Sequence, residues 1–233
     1  MTVSASPPAG AIDPPYDEGG YRSSALRAPS HPLVVLPGRL TERRGPVFGP
    51  DLVAPGDADL TRSHGGEAVG ERINVSGRLV DGDGRLIGGQ LVELWQANAA
   101  GRYAHDRDQH PAPLDPNFTG AGRALTGPDG GWRFVTIKPG AYPWGNHPNA
   151  WRPAHLHFSV FGQAFTERLV TQMYFPGDPL MAYDPIFGSV HDGVARQRMV
   201  AAFDWDTTEE GCALGYRFDI VVGGHLATPV ETL

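Results

Sequence analysis

His155 and His157 lie two residues apart in the run Trp151-Arg152-Pro153-Ala154-His155-Leu156-His157-Phe158. Leu156, Phe158 and Val160 alternate with them. Alternation of period two is a strand pattern, and residues two apart leave the same face of a strand. Both imidazoles therefore leave one face and an apolar set leaves the other. Strand rise separates their Cβ atoms by about 7 Å, close enough to share one metal ion. Taken alone, a His-x-His strand is also what a half-exposed strand carries, so further ligands have to come from other parts of the chain.

Two tyrosines are candidates. Tyr103 follows Asn98-Ala99-Ala100-Gly101-Arg102, and Tyr142 stands in Lys138-Pro139-Gly140-Ala141-Tyr142-Pro143-Trp144. Each alone reads as a phenol that finds a hydrogen-bond partner in the interior. As metal ligands they are unusual, because a phenol with a pKa of about 10 must be deprotonated by the cation itself. A hard trivalent ion can do that, whereas zinc sites favour Cys, His and carboxylate. Two phenolates with two imidazoles point to Fe(III). Two phenolates and a hydroxide sum to −3, which cancels Fe³⁺ and makes the site cheap to bury. His105, His110 and His147 lie near the same segments. His110 and His147 each precede a proline in a loop, and none of the three is given a role. His31, His64, His191 and His225 are likewise left out.

The elements that must position these groups are short strands between turns. Ile73, Val75 and Leu79 sit at odd positions before Asp81-Gly82-Asp83-Gly84, a turn signal. Strands are expected at 91–95, 130–137, 154–161 and 169–175, with a last one carrying Tyr216, Phe218, Ile220 and Val222. Residues 190–203 are the one helix expected, from Val190, Val194 and Met199. The long segments 96–128 and 138–153 show no strand pattern and read as functional loops. The expected fold is all-β: an antiparallel β-sandwich with long active-site loops and one short helix. Residues 1–70, Pro-rich with one apolar run at 33–36, read as an extended arm lying on a partner subunit. Residues 71–233 read as the sandwich domain that binds the metal.

Composition narrows the class. The 233 residues carry 19 Lys and Arg against 26 Asp and Glu, a formal net charge of −7. No basic cluster is dense enough for a nucleic-acid footprint. A single cysteine, Cys212, rules out an intrachain disulfide framework. There is no membrane-length apolar run and no visible secretory signal, so a cytoplasmic location is expected.

The stretches GRYAHDRDQHPAPLDPNFTGAGRALTGPDG, TIKPGAYPWGN, WRPAHLHFSV and TQMYFPGDP closely resemble the intradiol ring-cleavage dioxygenase family. The Tyr, Tyr and His-x-His elements occur in the family's order. The Pro-rich N-terminal region resembles the branch whose β subunit pairs with a related α subunit, not the homodimeric branch for catechol or hydroxyquinol. The resemblance implies one non-haem Fe(III) per chain, held by Tyr103, Tyr142, His155 and His157, with Tyr142 and His157 axial. It implies O₂-dependent cleavage of protocatechuate to 3-carboxy-cis,cis-muconate, a step of the β-ketoadipate route of aromatic catabolism. By the same resemblance Tyr142 leaves the metal as substrate binds, and Arg152 stabilises the electron-rich ring. Gln172 lies over the ring, Trp144 and Ile186 shape the pocket, and Tyr21 reaches the substrate carboxylate, whose recognition the α subunit shares.

Overall fold

A computed structural model of the chain describes residues 12–31, 52–62, 65–146, 150–161 and 168–231. The apolar run at 33–36, His64 and His147 lie outside the described residues. In chain order the strands are β1 (Arg72–Asp81), β2 (Leu91–Trp95), β3 (Ala121–Leu125), β4 (Gly131–Ile137), β5 (Tyr142–Trp144) and β6 (Ala150–Arg152). They continue with β7 (His155–Phe161), β8 (Leu169–Tyr174), β9 (Ala202–Phe203), β10 (Leu214–Arg217) and β11 (Ile220–Val222).

Two sheets face each other. One is four-stranded and antiparallel, in the order β3-β2-β7-β8. The other is five-stranded, with β1 paired antiparallel to β4 and parallel to β10 and β11. The expected all-antiparallel sandwich is thus mixed in one sheet, because the end of the chain returns alongside β1 in the same direction. Ile73, Val75, Leu79, Phe134 and Ile220 from this sheet meet Val92, Leu94, Leu156, Phe158 and Met173 from the other in one buried cluster. Phe158 spans the gap, with ring centroids 5.0 Å from Trp132 and 5.6 Å from Phe218. Leu60, ahead of β1, is buried in the same core.

The described structure departs from the expected elements at four places. Strands β3, β5 and β6 lie inside the segments read as loops, and β3 pairs with β2 from Leu91↔Leu125 to Trp95↔Ala121. Its Gly and Arg content hides it in the sequence, and β5 and β6 are three residues each. The helix expected over 190–203 shrinks to α3 (Gly193–Gln197), capped by Asp192 accepting from the Val194 and Ala195 amides. Beyond it the free edge of β8 captures the backbone: Tyr174 N donates to Met199 O at 2.8 Å, and Ala201 N donates to Tyr174 O at 2.9 Å. Edge pairing overrides helix here, and Val194 is 71% exposed instead of sharing a face with Val190 and Met199. There are also two further short helices, α1 (Ser24–Arg27) and α2 (Pro185–Ser189), not one. Finally, the single last strand is two. Asp219 Oδ1 takes the Arg78 amide at 2.9 Å and interrupts the ladder between β10 and β11.

Candidate metal centre

Strand β7 turns Leu156, Phe158 and Val160 into the core, so His155 and His157 stand on the outer face of the four-stranded sheet. Trp95 is the cross-strand neighbour of His157 and stacks on its ring, centroids 4.9 Å apart and planes within 7°. Tyr142 comes from β5, paired opposite Arg152 on β6. Tyr103 comes from a tight loop organised by Asn98, whose side-chain oxygen accepts from the Ala100 and Arg102 amides. The Gly140 amide donates to Asn98 O at 3.0 Å, which joins the two tyrosine segments. Gly101 has φ +78°, and a Cβ there would lie 2.4 Å from Ala141 O, so only glycine permits this approach.

The four side chains close into a ring. Tyr103 Oη lies 3.1 Å from His157 Nε2 and 3.4 Å from Tyr142 Oη. Tyr142 Oη lies 3.4 Å from His155 Nε2, which lies 3.2 Å from His157 Nε2. Tyr142 thus sits across the ring from His157, and Tyr103 across from His155. Edges of this length suit four donors that share one point about 2 Å from each, the usual length of a bond from a metal to an imidazole nitrogen. His155 Nδ1 is 2.7 Å from Pro153 O. A carbonyl only accepts, so the proton is on Nδ1 and the Nε2 lone pair points into the ring. This donor set fits a metal ion. Among the described residues no group of three or more His, Cys, Asp or Glu could hold one, so any ion here would depend on the tyrosines. His105 and His110 are not in the ring.

Burial raises the pKa of Tyr103 well above the phenol range, and the facing Tyr142 raises it further. Burial likewise raises Tyr142, against the pull of the Arg152 charge. Burial and the Arg152 charge push His155 well below its ordinary value. Uncharged imidazole is the ligating form, while the phenols would give up protons only to a strong cation.

Arg152 lies behind the ring, buried. Its guanidinium donates to Asp184 at 2.9 and 3.2 Å, to Gln172 Oε1 at 2.5 Å and to Tyr174 Oη at 2.9 Å. Burial works against its charge, and Asp184, Tyr174 and Tyr142 together more than compensate, raising its pKa well above the usual value. The Trp144 ring lies 5.6 Å from the guanidinium carbon and 4.8 Å from the Tyr21 ring, and Arg27 lies 4.6 Å over Tyr21. Ile186, buried on α2, lines a small void with Pro14, Pro15, Tyr21 and Glu231. The residues expected at the site therefore gather in one region. A larger groove of about 900 Å³ runs past Glu93, Trp95 and Arg123, and none of the four ring residues lines it.

Three residues went unnoticed in the sequence. Asp184 is an N-cap for α2, a role that Asp-Pro announces, but its pairing with Arg152 is tertiary. Tyr174 ends β8 with nothing to mark it. Glu231 lies near the C-terminus, with its carboxylate 3.4 Å from His157 Nδ1. Burial tends to raise its pKa, yet His157, Gln172 and Arg152 hold it at about 2.

Known proteins resemble this chain in sequence and in fold. The family model described as Dioxygenase matches residues 43–224, and the one described as protocatechuate 3,4-dioxygenase beta subunit N terminal matches residues 7–39. The chain belongs to the intradiol ring-cleavage dioxygenase family. It is 59% identical to the protocatechuate 3,4-dioxygenase beta chain of Burkholderia cepacia, over 94% of this chain and 93% of that one. It is 30% identical to the alpha chain of the same organism's enzyme, over 80% and 82% of the two chains. In fold it is similar to 3-chlorocatechol 1,2-dioxygenase from Rhodococcus opacus 1CP, with a TM-score of 0.55 and 24% identity over 77% and 70% of the two chains. The family implies non-haem iron. No helix among the described residues is long and apolar enough to cross a membrane.

Proposed function

We propose that this chain is the iron-holding β subunit of a protocatechuate 3,4-dioxygenase, cleaving protocatechuate with O₂ to 3-carboxy-cis,cis-muconate. The observation that carries the reading is the ring of two phenol and two imidazole donors with edges of 3.1–3.4 Å. The high identity to a beta chain of that name supports the substrate. One Fe(III) would be held by Tyr103, Tyr142, His155 and His157, and when bound it supplies a Lewis acid that makes a catecholate reactive towards O₂.

The chain's own residues account for the rest. Tyr142 is only partly buried and stands at the end of a three-residue strand, so its phenolate oxygen is placed to take a proton from an entering catechol hydroxyl. Tyr103, in the loop that Asn98 organises, and the two histidines on β7 stay in place. Arg152 holds positive charge beside the ring in a dry setting, where it stabilises negative charge developing on the substrate. Asp184, Gln172 and Tyr174 fix its direction. Trp144 and Ile186 form the wall, and Tyr21, beneath Arg27, marks the side where a substrate carboxylate lies. The similarity to both beta and alpha chains supports an α partner that completes this side. In this reading residues 1–70 serve as the arm that packs on that partner and residues 71–233 as the catalytic domain.

The test is O₂ uptake by the chain coexpressed with an α partner, on protocatechuate, catechol and hydroxyquinol, with an iron assay on the same sample. One iron per αβ unit, a burgundy phenolate–Fe(III) colour and a preference for protocatechuate are expected. A colourless, iron-free protein from iron-supplied cells would overturn the metal, and a preference for catechol would overturn the substrate.

A further inference from the structure

The C-terminal segment runs from β11 to the free edge of β8. Thr228 N donates to Val221 O at 3.0 Å, Thr171 Oγ1 donates to Pro229 O at 2.7 Å, and Glu231 N donates to Val170 O at 2.7 Å. Val230 N is held in turn by Asp13 Oδ1 at 2.9 Å. An edge strand leaves backbone groups unpaired, and this segment takes one of the acceptors so exposed, Val170 O. Its course carries the Glu231 side chain round the edge, from the core side to the outer face where His157 stands.

There the carboxylate is 8% exposed, with Oε2 3.4 Å from His157 Nδ1. That is long for a hydrogen bond, yet neither atom has a closer partner. A third buried atom without a hydrogen-bond partner is Gln172 Nε2. Gln172 Oε1 already accepts from Arg152 and Tyr174, so its amide nitrogen is turned the other way, and Gln172 is among the groups that lower the Glu231 pKa. Two side-chain nitrogens and one carboxylate oxygen without hydrogen-bond partners among the described residues thus meet at one place. Buried polar groups are normally paired with one another, and these three have complementary roles.

We propose that Glu231 is a positioning residue of the metal centre: its carboxylate keeps the His157 proton on Nδ1, so that Nε2 is free for the metal, and holds Gln172 with its amide oxygen turned to Arg152. The C-terminal segment is then part of the site. It joins the metal-binding imidazole to the charge-stabilising arginine through His157, Glu231, Gln172 and Arg152. A carboxylate behind a ligating imidazole also raises its donor strength and favours the more highly charged metal. The proposal rests on the reading of the ring as an iron site.

The test uses the αβ holoenzyme with Glu231→Gln, Glu231→Asp and, as a control on the seating of the segment, Thr171→Val. Iron release to a chelator and the Fe(III)/Fe(II) midpoint potential are measured. Glu231→Gln should release iron about 10–100-fold faster and move the potential positive. Glu231→Asp should recover part of both, and Thr171→Val should change neither while lowering the melting temperature. Parent-like iron release and potential in Glu231→Gln would overturn the proposal. So would equal changes in Glu231→Gln and Thr171→Val, since the segment would then act only as an anchor. A parent enzyme that held no iron would overturn the metal reading and this proposal with it, which separates the two failures.

Discussion

Arg152 and Asp184 face each other with guanidinium nitrogens 2.9 and 3.2 Å from carboxylate oxygens, and their side chains are 3% and 0% exposed. A pair this dry is held by geometry, because each charge has lost its water and the other is the only opposite charge bonded to it. Removing one partner leaves the other buried and uncompensated. Asp184→Ala should therefore cost about 3–5 kcal/mol, read as a fall of roughly 10 °C in melting temperature. A loss under 1 kcal/mol in denaturant unfolding would show that water reaches Arg152. Arg152→Lys keeps the charge but loses the fork, and is expected to lower kcat about 10²–10³-fold with iron content unchanged.

The two tyrosines meet because two glycines let their loops touch. Gly101 stands at φ +78° against Ala141 O, and a Cβ on Gly140 would lie 2.4 Å from Ala99 O. Both obstacles are backbone, which cannot swing aside. Gly101→Ala should cost roughly 1–2 kcal/mol from the left-handed backbone alone, and more from the clash. The loops would part, so the variant should hold less iron than the parent at equal protein. Full iron content with an unshifted visible band would show that the ring does not depend on this approach.

These particulars explain what could be read from the chain alone. The alternation from His155 to Val160 set the face of β7, and the structure keeps it, with Leu156 and Phe158 in the core and both imidazoles outside. That part was legible because a strand's period is local. The ring was legible only through the resemblance, since nothing local brings Tyr103 and Tyr142 together across 39 residues. Asp184 and Glu231 were missed for the same reason: each acts across the fold, on a residue 32 or more positions away. The helix over 190–203 failed because the edge of β8 offers its backbone better partners than its own turns do. β3 failed because its apolar content is low, while its pairing with β2 is complete.

Tyr142 stands across the ring from His157 and next to His155. If its phenolate takes the substrate proton, removing the hydroxyl should separate iron binding from turnover. Tyr142→Phe should retain iron through the other three residues, lose part of the phenolate charge-transfer band, and fall about 10²–10⁴-fold in kcat. Stopped-flow mixing with protocatechuate under anaerobic conditions should show slower binding. Parent-like turnover would mean that another group takes the proton.

Metal removal tests the ring as a whole. With no cation, the His155 lone pair faces His157 Nε2 at 3.2 Å, and the two phenols face each other and the imidazoles at 3.1–3.4 Å. A ligand that binds only the folded state stabilises it by RT ln(1 + [L]/Kd), about 2.7 kcal/mol at a hundredfold excess over Kd. For a chain of this length that corresponds to roughly 5–10 °C in melting temperature. Chelation of the enzyme should therefore lower the melting temperature by at least that much and bleach its colour, and Fe(III) should restore both. His157→Ala should show the chelated behaviour from the start, because one corner of the ring is gone and the remaining donors no longer enclose a point. Stoichiometric iron in that variant, or a melting temperature indifferent to chelation in the parent, would mean that the metal is held elsewhere in the protein.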